Sequence, residues 1–292
     1  MGGRTGACAA WLLLVAGCGG NAATPSDGGG DAAAVGAPAY VSVELGTGGA
    51  CALRLGGAAV CVSTGLTAPP PGPFTELGVG DSFACGLAAD RTIVCWGTFW
   101  KPEAHPGTFL HMAVGENFVC GLRAGGAVEC WGDTKYRVNE VPMRAFEALG
   151  AGAYHACGID TAGALACWGG VNAFGAPVPP LVAPAVQLGG GSKFSCALST
   201  DGAISCTGLD PPSGTFVSLG TGISHACAIR ADGMLVCWGT DQDGEETAPP
   251  PAGVFAKVGA GAYGTCAVRV DGRILCWGQR GDQFTKDFAE IP

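Results

Sequence analysis

Fourteen of the sixteen cysteines stand in seven pairs, each pair ten residues apart: Cys51/Cys61, Cys85/Cys95, Cys120/Cys130, Cys157/Cys167, Cys196/Cys206, Cys227/Cys237 and Cys266/Cys276. Paired thiols either oxidise to disulfides or hold a metal. Zinc sites usually draw on tight C-x-x-C pairs converging from two places, and no C-x-x-C occurs here. An even set at regular spacing favours disulfides and an oxidising compartment. Other strings imitate reactive sites. Gly259-Ala260-Gly261-Ala262-Tyr263-Gly264 satisfies G-x-G-x-x-G, but a dinucleotide site needs that string between a strand and a helix. Gly80-Asp81-Ser82 begins like a nucleophile motif and has no assigned His or Asp partner. Asp241, Asp243, Glu245 and Glu246 bring hard carboxylates together, as calcium requires, without the full calcium-binding loop. His155 and His225 each stand two residues before a first cysteine and read as structural histidines rather than as bases. His105 and His111 flank the start of the third copy and lack a motif. No cofactor and no firm metal site follow from these residues.

The elements that position them form a repeated unit. The pairs recur every 31 to 39 residues, which points to one supersecondary unit copied many times. Each unit runs aromatic-x-x-aliphatic, Gly-x-Gly, Cys, a turn, and then Cys-Trp-Gly, as in Phe216 to Gly239. Apolar residues alternate with period two, so these short, glycine-rich segments read as strands. Asp232-Gly233 marks a turn, and a three-residue loop Ala231-Asp232-Gly233 with a left-handed glycine is a common hairpin connection. That loop sets Arg230 opposite Met234, and Cys227 opposite Cys237 in a non-hydrogen-bonded pair with Cα atoms roughly 4.5 Å apart. A disulfide tolerates such a separation, so all seven pairs can close within their own hairpins. Gly fills the turn position in six copies, whereas the second has Arg91, which predicts a strained or altered turn.

The chain begins with Arg4 and an apolar run from Ala7 to Ala16, the pattern of a secretory leader. It ends Val15-Ala16-Gly17-Cys18, which resembles the bacterial lipobox. That resemblance implies a signal peptide over 1–17, a diacylglyceryl group on Cys18, and anchoring by its acyl chains. Residues 18–39 read as the lipidated cysteine and a flexible Gly/Ala-rich tether, and residues 40–292 as the repeat domain. The net charge of −9 argues against nucleic-acid and anionic-membrane partners and leaves the membrane to the N-terminal lipid.

The unit resembles the regulator of chromosome condensation repeat, whose pattern is Gly-x-x-His-x-x-Ala-Leu-x-x-Asp-Gly-x-Val-x-x-Trp-Gly. The sequences GISHACAIRADGMLVCWG, ending at Gly239, and GAYHACGIDTAGALACWGG carry the likeness. It implies an all-β, seven-bladed β-propeller with one intra-hairpin disulfide per blade. The copies are shorter than those of the nuclear members, so some blades are expected to have three strands. They look closer to compact secreted bacterial members, among them a β-lactamase inhibitor protein. Phe288-Ala289-Glu290-Ile291 repeats the start of the unit, so the C-terminal segment is expected to pair with the first or last blade and close the ring.

Individuality lies in the connectors, which are expected to gather at the faces of the disc and to carry recognition. Phe99, Trp100, Lys101 and His105 in one connector, and Tyr136 and Arg137 in the next, combine aromatic and cationic groups suited to an interface. The resulting expectation is a monomeric, non-catalytic, lipid-anchored scaffold of the bacterial cell envelope, periplasmic or on the cell surface, that binds a protein. Inhibition of a secreted hydrolase and carbohydrate binding or adhesion are the alternatives. The guanine-nucleotide exchange of nuclear relatives is not expected behind an export leader.

Overall fold

Glycine-punctuated segments with apolar residues at alternate positions favour strands over helices. The computed structural model describes residues 39–63, 65–98, 105–133, 135–170, 184–239, 249–262, 264–278 and 281–290. It contains seven antiparallel sheets of three consecutive strands each. In the first sheet these are Tyr40–Leu45, Ala50–Arg54 and Ala59–Val62. The register is the one the turn dictates. Arg230 N donates to Met234 O at 2.9 Å, Cys227 faces Cys237, and Gly233 has φ +84°. Arg91 adopts the same left-handed conformation at φ +70°, a rare state for a residue with a side chain.

Each cysteine pair is a disulfide between the middle and outer strands of its own sheet. The bridges are Cys51–Cys61, Cys85–Cys95, Cys120–Cys130, Cys157–Cys167, Cys196–Cys206, Cys227–Cys237 and Cys266–Cys276. Their Cα atoms stand 4.0–4.1 Å apart, closer than the separation expected from strand geometry alone. The spacing treats the two members of a pair as equivalent, and the structure does not. The first cysteine of every pair lies in a middle strand and is buried. Its partner lies in the outer strand, at the open edge of the sheet. There Cys61, Cys95, Cys130, Cys167, Cys206 and Cys237 are only half-buried. Cys276 is the exception at 7% exposed, because the C-terminal segment covers it.

The inner strands, Tyr40–Leu45, Phe74–Val79, His111–Val114, Phe146–Ala151, Ala185–Gly190, Phe216–Thr221 and Phe255–Ala260, pack each against the next, and the last against the first. They surround a central channel, so the sheets are the blades of a propeller. Two sets of backbone hydrogen bonds tie blade to blade. At the end where the hairpin turns lie (the turn face), the N–H opening an inner strand donates to the turn residue of the preceding blade: Phe74 to Gly57, Phe109 to Arg91, Phe216 to Gly202 and Phe255 to Gly233. Tyr40 N donates to Gly272 O at 3.0 Å in the same way and joins the last blade to the first. At the opposite end, Asp81 N reaches Glu116 O, Glu116 N reaches Ala153 O, and Ala153 N reaches Gly191 O.

Closure differs from the sequence expectation. The C-terminal segment is not an added strand but a helix, Gly281–Glu290. Its residues Phe284 and Phe288, one helical turn apart, share a buried cluster with Tyr40, Val60 and Val62 of the first blade and with Ile274 and Cys276 of the last. A helix presents i and i+4 on one face, so both rings enter the same seam. Thr285 Oγ1 accepts from Cys276 N at 2.8 Å, covering part of the last blade's open edge. The connectors also differ. Each outer strand ends at the face where the next inner strand ends, not where it begins. Each connector therefore starts at one face of the ring and ends at the other.

Candidate functional site

The channel is the first place to look for chemistry. All seven inner strands line a cavity of about 530 Å³ towards the turn face, and a smaller cavity of about 80 Å³ lies at the Gly-x-Gly end. The blades approach closely along the wall of the larger cavity. A Cβ on Gly259 would stand 2.3 Å from Val43 O, and one on Gly78 would stand 2.4 Å from Val114 Cγ2. The glycines that imitate a dinucleotide motif thus let one blade lie against the next. Glycine or alanine holds this position in six blades, at Gly78, Ala113, Gly150, Gly189, Gly220 and Gly259, but the first blade has Glu44. Burial pushes the Glu44 carboxyl up to about 7. Lys257 acts against that rise and Glu76 adds to it.

Two positions earlier stand Ser42, Glu76, His111, Ala148, Gln187, Ser218 and Lys257. Several reach to the next blade. Glu76 lies 2.8 Å from His111 Nδ1 and accepts from Met112 N at 3.1 Å. His111 Nε2 donates to Leu149 O at 3.1 Å. Burial acts to lower the His111 pKa, but the Glu76 carboxylate outweighs it and the net shift is upward. Gln187 Oε1 accepts from Leu219 N, and its amide donates to Leu219 O. These polar groups satisfy backbone on the channel-facing edges of neighbouring inner strands. The sequence motifs did not flag Glu44, Glu76 or Lys257. The signal was there in the aligned copies, where Glu44 alone breaks a column of small residues.

His155 and His225 serve the same kind of joint. His155 Nε2 lies 2.7 Å from Ser195 Oγ, and His225 Nε2 lies 2.8 Å from Thr265 Oγ1, both hydroxyls belonging to the next blade. Blades two, three and five place Phe83, Phe118 and Phe194 at the histidine position, and their partners are then Val119, Ala156 and Ala226. In these five blades histidine faces a hydroxyl and phenylalanine an aliphatic side chain, a packing match, while blades one and seven have Gly49 and Gly264 at this position. Burial holds His155 down at about 4, so it is neutral near neutral pH.

The connector residues are partly committed. His105 stacks on Trp131 with centroids 4.6 Å apart and lies 2.6 Å from Glu129. Arg123 also grips Glu129, at 2.6 and 2.7 Å. Its hydrogen bond is the main cause that holds the Glu129 carboxyl down at about 2. Tyr136 packs against Tyr154 with ring centroids 4.5 Å apart and the rings tilted by 38°. Burial first, and then Glu116, push the Tyr154 phenol up to about 12. Trp168 Nε1 donates to Val138 O at 2.9 Å and pins the same connector. Arg137 is exposed, paired with Glu140 at 2.7 Å. Cys18, Phe99, Trp100, Lys101, Asp241, Asp243 and Glu245 lie outside the described residues. Among the described residues, no group of three or more His, Cys, Asp or Glu is placed to hold a metal ion.

The sequence pattern of the regulator of chromosome condensation (RCC1) repeat matches residues 216–245 and 255–282, the last two blades. No curated protein sequence matches the chain. Among solved structures, the ectodomain of the Physcomitrella patens receptor kinase CR4 superposes with a TM-score of 0.69 at 25% identity, over 83% of this chain and 75% of that one. The CRINKLY WD40 ectodomain of the Arabidopsis thaliana receptor kinase ACR4 gives 0.68 at 26% identity, over 83% and 96%. Prp20p of Saccharomyces cerevisiae, described with its binding properties to Gsp1p and histones, gives 0.63 at 14% identity over 86% and 85%, a likeness of fold. With seven stapled three-stranded sheets in a ring, the chain is a seven-bladed β-propeller whose last two blades carry the regulator of chromosome condensation repeat pattern.

Proposed function

We propose that this protein is an exported lipoprotein acting as a non-catalytic, protein-binding scaffold in the bacterial cell envelope. The observation that carries the reading is how the repeat spends its reactive groups. His155, His225, Glu76, His111 and Gln187 each bond to a neighbouring blade, so their chemistry holds the ring together. Variation is left to the connectors, and loops on a rigid scaffold commonly carry recognition. Seven disulfides suit an oxidising compartment, and the two propellers at 25 and 26% identity are receptor ectodomains. The leader over 1–17, the acylated Cys18 and the tether to residue 39 supply export and anchoring. Recognition falls to Phe99, Trp100, Lys101 and His105 in one connector and to Tyr136 and Arg137 in the next. Cross-linking with mass spectrometry in the native envelope tests this. A protein partner should be captured, and Trp100→Ala with Tyr136→Ala should reduce its recovery several-fold. Unchanged capture by the double variant would move recognition elsewhere on the ring.

A further inference from the structure

The turn face is chemically uneven. The residue leading into the turn is Arg54, Arg230 and Arg269 in blades one, six and seven, but Ala88, Asp160 and Ser199 in blades two, four and five, and the Arg123 of blade three is held by Glu129. Arg273, exposed in the last turn, adds a fourth cation to the first group, against Asp232 and Asp271. Arg269 pairs with Asp271 at 3.6 Å, and the remaining Arg54, Arg230 and Arg273 outnumber Asp232, so this arc is locally cationic against the chain's overall net charge of −9. The same arc bares aliphatic side chains: Leu55 is 78% exposed, Val270 67%, Met234 53% and Val254 48%. They are joined through the blade contacts. A Cβ on Gly233, next to Met234, would lie 2.4 Å from Val254 Cγ1. Val270 N donates to Val254 O at 3.2 Å, and Leu55 N donates to Ala39 O at 3.0 Å. Ala39 also lies against Gly272 of the last turn.

Ala39 is the first described residue, so the chain enters the ring through the middle of this arc. Residues 19–38 separate it from Cys18, and a random coil of twenty residues would span roughly 25 Å on average. A lipid on Cys18 would therefore hold the arc within reach of the membrane at high effective concentration. Aliphatic tips beside guanidinium groups match a surface with phosphates outside and acyl chains beneath. The Gly-x-Gly end places Asp81 and Glu116 at the opposite mouth of the channel, away from such a surface.

We infer that the turn face of blades six, seven and one docks on an anionic phospholipid surface, with Leu55, Met234, Val254 and Val270 entering the interface. The inference rests on the lipidation of Cys18 proposed above. It fixes the orientation of the ring and presents the opposite face to a partner.

The test uses the full protein purified from its own membrane and placed in phosphatidylcholine vesicles, with or without phosphatidylglycerol, that carry a photoreactive acyl-chain lipid. Irradiation should leave adducts on peptides containing Leu55, Met234, Val254 and Val270. Yield should fall several-fold without phosphatidylglycerol, and again in Leu55→Asp/Val270→Asp, two exposed sites whose change spares the core. Arg230→Ser/Arg273→Ser should lose the dependence on phosphatidylglycerol. Adducts confined to residues 18–38, or spread evenly over the turns of blades four and five, would overturn the docking. So would a second copy of the chain cross-linked through this arc in place of lipid. The mass of the Cys18 peptide in the same digest separates the two ideas. Acylated Cys18 without arc adducts ends the docking and keeps the anchor, whereas unmodified Cys18 with arc adducts does the reverse.

Discussion

Two residues before the first cysteine, histidine and phenylalanine exchange, and the neighbour in the next blade exchanges with them. This pairing makes a sharp prediction. His155→Phe alone leaves the Ser195 hydroxyl without its 2.7 Å partner and should cost about 1–3 kcal/mol. Adding Ser195→Ala reproduces the pairing of Phe118 with Ala156 and should recover most of that loss, as measured by denaturant unfolding. The pH dependence has a definite sign. His155 has a folded pKa depressed to about 4, so the unfolded chain binds the proton first. Stability is full above the ordinary histidine range and is lost as pH falls towards 4, by on the order of 2–3 kcal/mol. The double variant should flatten that acid limb, and an unchanged limb would refute the assignment. Glu44 behaves oppositely. Its folded pKa is raised to about 7, so stability is full below the ordinary carboxylate range and declines as pH rises to 7. Glu44→Gln should leave the thermal midpoint unchanged at acid pH and raise it by several degrees at pH 8. The structural role of the histidines was legible in the sequence because they sit at a repeated position. Glu44 stands out in the aligned copies as the one charged residue in a column of small ones, but its burial shows only once the ring sets that column against the neighbouring blade.

Among the elements, the hairpins were the most legible and the termini the least. Turn chemistry and the ten-residue spacing together determine which strand faces lie opposite, so the cysteine register follows from local geometry alone. The unequal burial of the two cysteines does not, because it depends on which strand of the hairpin ends up at the blade's edge. Arg91 confirms the turn logic from the other side, since it takes the left-handed state that glycine takes elsewhere. The C-terminal segment deceived because Phe-Ala-Glu-Ile copies the start of the unit, while its burial depends on Phe284, which the copied pattern does not include. Helical spacing lets Phe284 and Phe288 enter the seam between the first and last blades together. Phe288→Ala should therefore destabilise the ring by about 3–5 kcal/mol. Hydrogen exchange should show the loss concentrated in strands Ala59–Val62 and Ile274–Trp277, the outer strands under the helix. Uniform deprotection of all seven blades would mean that the helix is not a local clasp.

For the whole molecule, counting cysteine pairs counted the blades, and the ring then explains why the disulfides need not take part in recognition. Each staple closes a short loop inside one blade and contributes about 2–3 kcal/mol by loop-closure entropy. None crosses between blades, where hydrogen bonds and packed side chains do the joining. The proposed partner was not legible because the proposal rests it on connectors that the repeat leaves variable. The central claim is that this stapled ring works outside the cytoplasm on a lipid anchor, and one measurement reaches it directly: peptide mass analysis of the native protein, alkylated without reduction. The account predicts an N-terminal Cys18 carrying a diacylglyceryl group and all fourteen paired cysteines oxidised within their own hairpins. An intact leader with unmodified Cys18, or alkylated thiols among the seven pairs, would contradict it.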